Sequence, residues 1–216
     1  SGQPADFILQ PKRQEDEPPD GVMGAGLEGG KLVLASSHHV FFWNTFPITN
    51  DQKPDMMLGV QRTRDESLIM PYEYVWYNDT FAFPYYAELV NNRLIVADTN
   101  NNRVLIFNEI PKLPDAKADV ILGKPEIFLS RKSYGSGPLP FSDGKRLIVG
   151  VDGIGVWIYN KIPDENHAEA DVIVGKLLGS TTIGGYAFIA GEKLVMVHRE
   201  GSNVFIWNQM PEEDDK

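Results

Sequence analysis

Histidine and carboxylate side chains are the groups of this chain that could do chemistry, and they are scattered. The histidines are His38, His39, His167 and His198, and Asp98 follows an apolar run in mid-chain. Imidazole and carboxylate groups bind metal ions and transfer protons. Adjacent residues of an extended segment point to opposite sides, so His38 and His39 would not share one ion there. Neither HExxH nor paired CxxC spacing occurs, so we expect no metal and no cofactor.

Aromatic side chains are concentrated in one segment, QRTRDESLIMPYEYVWYNDT, at residues 61–80. Within it, Tyr72, Tyr74, Trp76 and Tyr77 fall in a stretch of six residues. Such a cluster could stack on a sugar, a cation or a peptide. The alternative is a loop that buries its own hydrophobic residues, and the alternation of Tyr72, Tyr74 and Trp76 also suggests an extra strand. Both interpretations stay open.

Composition excludes several classes of function. The 216 residues carry a formal net charge of -10 and a sequence pI near 4.8, which repels phosphate backbones and anionic lipids. We therefore expect neither nucleic acid nor a membrane as partner. The chain has no cysteine, which excludes disulfides and cysteine-based zinc or redox sites but leaves the compartment open. Ser-His-acid, GxSxG and phosphate-loop motifs are also absent.

A repeated phrase is the strongest pattern in the sequence. Aromatic-Asn-x-apolar-Pro occurs four times, and each copy follows a short apolar run typical of a buried strand. The copies are WNTFP at 43–47, FNEIP at 107–111, YNKIP at 159–163 and WNQMP at 207–211. Eight residues after the proline of the first three copies comes the aspartate of a second phrase: PDMMLGV, ADVILGK or ADVIVGK. Three equal spacings predict a common structural unit.

Each unit divides into four strands, a to d in chain order, where b is the apolar run, c ends in the aromatic-Asn motif and d is the second phrase. Repeated up-and-down units predict an all-β fold, a four-bladed β-propeller of four-stranded antiparallel blades in one domain, 1–216. The chain begins with another copy of the second phrase, PADFILQ at 4–10. We expect this copy to close the ring as strand d of the last blade. The blades are expected at about 21–60, 81–124, 136–176, and 182–211 with 5–10.

The residues expected on the axis favour four blades. A four-bladed ring has a narrow centre, so strand a should present small side chains to the axis. Ala25, Ala87, Pro140 and Ala187 occupy that column, each seven residues before the apolar run. The alternative is that the chain forms part of a larger propeller, as an excised half or as one half of a dimer.

The passage LIVADTNNNRVLIFN, 94–108, resembles the NHL repeat, whose core has a similar apolar strand, Asp, Asn-Arg and second strand. The signature is complete in the second blade, with Asp98, Asn102 and Arg103, and incomplete in the other three. The resemblance implies a propeller that most often binds other proteins. It also implies that Asp, Asn and Arg hydrogen-bond the loop between strands b and c and bridge neighbouring blades. Some similar propellers are lyases or lactonases with a central metal, a role that the small apolar axis column disfavours.

Antiparallel alternation puts the b-to-c and d-to-a loops on one face of the disc, which we call the top face. The b-to-c loops are 36–39, 98–102, 151–155 and 198–202. Function on rigid β scaffolds collects on loops, so we predict a non-enzymatic module that binds a protein, peptide or glycan there. The alternative is a small lyase or hydrolase with a site around His38, His39, Asp98 and His198. The candidate residues of the top face are Tyr72, Tyr74, Trp76, Tyr77, His38, His39, Asp98, His198 and Arg199.

Overall fold

The structure, a computed structural model, describes residues 5–11, 21–37, 39–50, 52–59, 81, 83–123, 137–151, 155–175, 186–197 and 203–214. Within these ranges the chain forms fifteen strands and one 3-10 turn, Thr99–Asn101. The strands are β1 (Val22–Glu28), β2 (Lys31–Ser36), β3 (Val40–Trp43), β4 (Met56–Leu58), β5 (Pro84–Val90), β6 (Arg93–Asp98), β7 (Arg103–Phe107), β8 (Val120–Leu122), β9 (Leu139–Ser142), β10 (Leu147–Val151), β11 (Gly155–Tyr159), β12 (Val172–Val174), β13 (Ala187–Ala190), β14 (Lys193–Val197) and β15 (Val204–Trp207). Among the same residues there is no helix with the length and apolarity needed to cross a bilayer.

The strands form four antiparallel sheets, each paired in chain order: β1 to β4, β5 to β8, β9 to β12, and β13 to β15. Two-residue turns join β1 to β2, β5 to β6 and β13 to β14, and a four-residue connection, 143–146, joins β9 to β10. In the turns Gly29–Gly30 and Asn91–Asn92 both residues have positive φ, at 56° and 78°, and at 51° and 62°. Glycine and asparagine adopt this left-handed region readily, and such turns match the twist of antiparallel strands. Each unit therefore folds locally into an up-and-down sheet.

The first strand of each sheet faces a common axis. Side chains from β1, β5 and β9, and from β13 with the residue before it, line one cavity. Around that axis β1 packs on β5, β5 on β9, and β9 on β13. The four sheets are therefore the blades of a β-propeller, numbered 1 to 4 in chain order. The predicted all-β propeller architecture is confirmed, with four blades in this chain. Closure of these blades into a four-bladed ring stays a prediction.

Successive blades pack face to face through buried apolar clusters. Val33 and Phe42 of blade 1 share one cluster with Leu94 and Leu105 of blade 2. Two further clusters join blade 2 to blade 3 and blade 3 to blade 4. Burying such a side chain contributes roughly 1.5–3 kcal/mol, so the blades stabilise one another rather than folding alone.

Blades 1 and 2 approach closely because β1 contains glycines. A Cβ atom placed on Gly26 would lie 2.6 Å from the carbonyl oxygen of Ala87 and 2.7 Å from Cα of Glu88. Gly24 is similarly crowded, with the carbonyl oxygen of Tyr85 2.7 Å from its Cβ position. Two backbones can lie this close only where one of them has no side chain. These glycines therefore allow β1 to lie directly on β5.

The Pro-to-Asp spacing of the repeat has a direct structural explanation. In blades 1 to 3 the amide N–H of the motif asparagine donates a 2.7 Å hydrogen bond to the carboxylate of the second-phrase aspartate. The pairs are Asn44–Asp55, Asn108–Asp119 and Asn160–Asp171. The amide of each aspartate donates in turn to a carbonyl of the third strand, two residues before the asparagine. The loop between the proline and the aspartate therefore has the same length in each blade, because it must bring the aspartate back to these two hydrogen bonds. Strand d begins directly after the aspartate.

The N-terminal phrase contacts blade 1 in the way that strand d of an earlier blade contacts the blade after it. Strand d of blade 2 makes such a contact with blade 3, and strand d of blade 3 makes one with blade 4. The amide of Ile8 donates to Oδ1 of Asn50 at 2.7 Å, and Leu9 packs against the apolar cluster of Leu32 and Trp43. Equivalent bonds run from Ile121 to Asn166 at 2.8 Å and from Ile173 to Asp214 at 2.7 Å. Residues 5–11 form no strand, however, and blade 4 has three strands among the described residues. The pairing of this phrase with β15 therefore stays a prediction.

Candidate functional site

A cavity of about 110 Å³ lies where the four inner strands meet. Every blade contributes to its wall. Most of the wall is aromatic, and Met23 of β1 supplies the contribution of blade 1. The aromatic residues are Tyr85, Tyr86, Phe141, Tyr186 and Phe188.

The cavity lies at the top-face end of the axis. Its lining residues fall toward the start of each inner strand, as Met23 does in β1, or directly before it, as Tyr186 does for β13. Each inner strand begins at the end of the disc where a d-to-a connection arrives, and the b-to-c loops lie at that same end. The cavity is therefore beside the loops at which the sequence predicts binding.

Three aromatic rings form one wall of this cavity. Phe141 of blade 3 meets Phe188 of blade 4 edge to face, with ring centroids 5.7 Å apart and an interplanar angle of 77°. Tyr186 stacks on Phe188 at 6.4 Å and 12°. Tyr186 is 50% exposed and Phe188 is 41% exposed, so both rings present apolar surface to solvent. Aromatic rings held on rigid strands in a concave site are typical of ligand contacts.

A buried carboxyl group lies next to the aromatic wall. Glu88 is two residues after Tyr86 on the same face of β5, and it is only 6% exposed. The amide of Ser142 donates a hydrogen bond to this carboxyl group, while its Oε1 atom has no hydrogen-bond partner among the described residues. Burial raises the pKa of Glu88 to about 8, against a smaller lowering by the Ser142 bond. Burial, and secondly the charge of Glu88, raise the pKa of Tyr86.

Asp98, a site residue predicted from the sequence, forms hydrogen bonds within its own loop. Its side chain is fully buried, and Oδ2 accepts hydrogen bonds from Nε of Arg103 at 2.7 Å and Nδ2 of Asn101 at 2.8 Å. Asn102 ends the 3-10 turn in the left-handed conformation, with φ at 49°. An Asp–Arg contact in this loop is what the NHL resemblance implies. Because the guanidinium neutralises the carboxylate, the geometry favours a structural role for Asp98.

His39 is likewise part of a turn. The residue is only 1% exposed, and its ring centroid lies 6.1 Å from that of Phe41. The hydroxyl of Ser36 accepts a hydrogen bond from the His39 amide at 3.2 Å and donates one to the His39 carbonyl at 3.0 Å. In the part of the chain that the structure describes, no group of three or more potential ligands could hold a metal ion.

The remaining candidates lie outside the described residues, so their roles stay predictions. They are His38, Tyr72, Tyr74, Trp76, Tyr77, His198 and Arg199.

The axis is more aromatic than the sequence analysis expected. Pro140 and Ala187 line the cavity, but Ala87 packs in the cluster between blades 1 and 2, and Ala25 is exposed. The register shifts near the starts of β1 and β5 explain part of the difference, because such irregularities redirect side chains. In blades 2, 3 and 4 the small axis residue has an aromatic residue next to it in the sequence, as Ala87 has Tyr86. That pattern is the signal in the sequence that could have found the aromatic wall.

At the opposite end of the disc, polar groups of the a-to-b turns link the blades. Glu28 of blade 1 accepts hydrogen bonds from the amides of Asn91 and Asn92 of blade 2, at 2.6 and 3.1 Å. Nδ2 of Asn91 donates to the carbonyl of Gly144 in blade 3 at 2.6 Å. Arg146 connects blade 3 to blade 4 by similar bonds. These groups hold each blade to the next, from blade 1 to blade 4.

In the described part of the chain, larger cavities also lie at the seams between blades, and two of them are lined by polar groups. One of about 400 Å³, between blades 1 and 2, is lined by Asn44 and Asp55, which are bonded to each other. The other, of about 220 Å³, is lined by His167, whose amide donates to the carbonyl of Ile121 and whose ring bonds the carbonyl of Gly123. These polar groups of the two seam cavities are already hydrogen-bonded within the fold, between strands or between blades. We therefore take the axial cavity as the candidate site.

Solved structures show the same fold at low sequence identity. The computationally designed Ika4 protein has a TM-score of 0.53 and 8% identity, and the match covers 96% of this chain and 98% of that one. The designed Ika8 protein has a TM-score of 0.56 and 8% identity, over 97% of this chain and 51% of that one. A humanized mutant of the Chaetomium thermophilum Polycomb Repressive Complex 2, bound to the inhibitor GSK126, has a TM-score of 0.53 and 12% identity, over 89% of this chain and 39% of that one.

These similarities concern the fold alone, because all three identities are low. No family model matches the chain. No curated protein matches it either. The fold and the cavity define the class: a β-propeller with an aromatic cavity at one end of its axis.

Proposed function

We propose that this propeller is a binding module that takes a protein, peptide or glycan ligand on its top face, with the axial cavity receiving one group of that ligand. The observation that carries the proposal is the construction of the cavity. All four blades supply its wall, and the exposed rings of Tyr186 and Phe188 form part of it. A site built from four strands of a rigid ring is pre-organised, which lowers the entropic cost of binding.

The resemblance of the second blade to the NHL repeat supports a protein or peptide as the ligand. The aromatic segment 61–80 also belongs to a d-to-a connection of the top face by its position in the sequence. Together they support a contact surface that extends beyond the axial cavity.

The contacts of the two described candidates support binding rather than catalysis. A lyase or hydrolase around His38, His39, Asp98 and His198 would need groups that are available to a substrate. Asp98 is instead paired with Arg103, and the backbone of His39 is bonded to Ser36. Both residues therefore have contacts that stabilise their loops.

The test is to select ligands and ask whether they need the axial cavity. We would pan a phage-displayed peptide library and screen a glycan array with the purified chain, then measure the affinity of selected ligands for a Phe188→Ala variant. Aromatic anchors carry much of the affinity of such sites, so we expect a loss of about tenfold or more.

Phe46→Ala is the matched control. Phe46 is 42% exposed, close to the 41% of Phe188, and contacts Phe7 away from the cavity. We expect this variant to bind as wild type does. Ligands that bind both variants equally well would show that the axial cavity is not the site.

A further inference from the structure

We infer that the axial cavity selects a positively charged head group, such as an ammonium, and that the carboxylate of Glu88 balances its charge. The inference deepens the proposed function and rests on it, because it names the ligand group that the cavity receives.

The wall of the cavity has the chemistry that attracts cations. The faces of aromatic rings carry negative charge density, and an ammonium group within about 6 Å of a ring centroid is stabilised by it. Tyr86, Phe141, Tyr186 and Phe188 come from three different blades, so they surround the cavity rather than forming a flat patch. A neutral apolar ligand would gain burial on this wall, but a cation gains burial and electrostatic attraction.

Glu88 supplies an ionisable group that the fold satisfies only in part, through the Ser142 amide. Its Oε1 atom is buried and without a hydrogen-bond partner among the described residues, which is unfavourable for a carboxyl group. A hydrogen-bond donor or a positive charge in the cavity would satisfy that oxygen or stabilise its ionised form. At this oxygen a bound ligand would add an interaction that the described residues do not supply.

The position of Glu88 brings this charge close to the cavity. Glu88 lies two positions after the cavity residue Tyr86 on the same face of β5, a distance of about 7 Å along the strand. Ser142, which donates its amide to Glu88, directly follows the cavity residue Phe141. Glu88 does not line the cavity itself, but it neighbours lining residues of two blades, and charges at such a distance still interact near a protein surface.

The described surroundings of Glu88 contain no group that would already neutralise it. Tyr86 is the titratable group that faces it from β5, β9 contributes the Ser142 amide, and β1 contributes the backbone at Gly26. The net charge of -10 further attracts cations from solution. The cavity volume of about 110 Å³ is well below the roughly 300 Å³ at which pockets for drug-sized ligands begin, so it suits a head group rather than a whole sugar or nucleotide.

The experiment compares two probes of the same shape and different charge, choline and its neutral isostere 3,3-dimethylbutan-1-ol. Affinities for wild type are measured by titration calorimetry or by NMR shifts. Because shape and apolar surface are matched, we expect choline to bind about tenfold more tightly. We expect Glu88→Gln to reduce this preference to near unity, while Phe188→Ala weakens both probes.

A pH series on wild type tests the same point without a substitution. Choline keeps its charge at every pH, whereas Glu88, with a pKa of about 8, loses its proton between about pH 6.5 and 9. We expect the affinity for choline to rise over this interval and the affinity for the neutral probe to stay flat. Glu165→Gln, the same change at an exposed residue, should keep the rise.

Three results would overturn the inference. They are no binding of choline, equal binding of choline and the neutral probe, and a choline preference that survives Glu88→Gln with no dependence on pH. If the ligands selected from the library still require Phe188 in that case, the proposed function stands and only the charge selection is wrong. If they do not require Phe188, both proposals are wrong.

Discussion

Glu88 is a polar residue at a position where the other blades have glycine or phenylalanine. Counted from the apolar run of strand b, the equivalent residues are Gly26, Phe141 and Phe188. A buried, partly unsatisfied carboxyl group costs stability, so its presence on β5 is unfavourable for the fold alone. Because burial of Glu88 costs stability, its effect can be tested by measuring the stability of a variant at this one residue.

Glu88→Gln should change how stability depends on pH. Burial raises the pKa of Glu88 from its ordinary value of 4.5 to about 8 in the folded chain. Between these values the unfolded chain is ionised at this residue and the folded chain is protonated, so wild-type stability falls as pH rises, by at most about 1.4 kcal/mol per pH unit. The glutamine variant lacks this loss. Urea denaturation at about pH 5 and pH 8 should therefore show the variant gaining unfolding free energy relative to wild type.

The control for this prediction is Glu165→Gln, because Glu165 is exposed. Its curve of stability against pH should run parallel to that of wild type. If the Glu88→Gln curve is also parallel, Glu88 titrates normally in the folded chain, and its burial has no effect on ionisation.

At the scale of single elements, the b-to-c loop of blade 2 is held by an ion pair. Asp98 and Arg103 are both fully buried, and they flank the 3-10 turn Thr99–Asn101. A Cβ atom on Gly137, at the entry to blade 3, would lie 2.8 Å from Cα of Thr99, so this turn also packs on the next blade. The loop therefore serves as a joint between blades.

Asp98→Ala should destabilise the chain strongly. The substitution removes the carboxylate that pairs with the buried guanidinium of Arg103, and breaking a buried ion pair costs about 3–5 kcal/mol. Asp164→Ala is the control, because Asp164 and Lys161 form an exposed pair with side chains 65% and 75% accessible, worth under about 1 kcal/mol. Unfolding free energies of both variants are measured by denaturation. A stable Asp98→Ala variant with an altered ligand affinity would show instead that Asp98 belongs to a binding site.

At the scale of the whole molecule, three seams between blades are closed by apolar clusters and the fourth differs. Between blades 4 and 1, Leu9 of the N-terminal phrase packs on blade 1, while Val204 and Ile206 of β15 are exposed. Exposed apolar residues on a strand at the edge of a sheet favour pairing with another segment. The expected partner of β15 is residues 5–10 of the same chain, and the alternative is a second copy of the chain.

Removing residues 1–10 should lower the melting temperature sharply, because the cluster around Leu32 loses Leu9 and, on the predicted topology, blade 4 loses its outer strand. A shorter truncation that removes only 1–4, before the aspartate of the phrase, serves as the control. Light scattering on the intact chain should give the monomer mass of 24.2 kDa. A stable dimer would favour the larger ring that the sequence left open, and an unchanged melting temperature would show that 5–10 do not close the fold.

The repeat made much of the fold predictable from sequence. The eight-residue spacing between the proline and the aspartate follows from bonds such as Asn108 to Asp119, which form within one hairpin. Asp98, Asn102 and Arg103 indicated the b-to-c loop, again because their contacts are local. The candidate site was less predictable, because the expected small axis residues were only part of the wall.

The sequence by itself determined the order of the strands and their division into four units, since alternating apolar runs and turn residues act over a few neighbours. Only the tertiary structure decided which residues line the axis and that Glu88 lies buried beside them. Those properties depend on how close one blade lies to the next, as at Gly26 and Ala87, which are about 60 residues apart in the chain. Distances of that kind are set by packing between blades, and no local pattern encodes them.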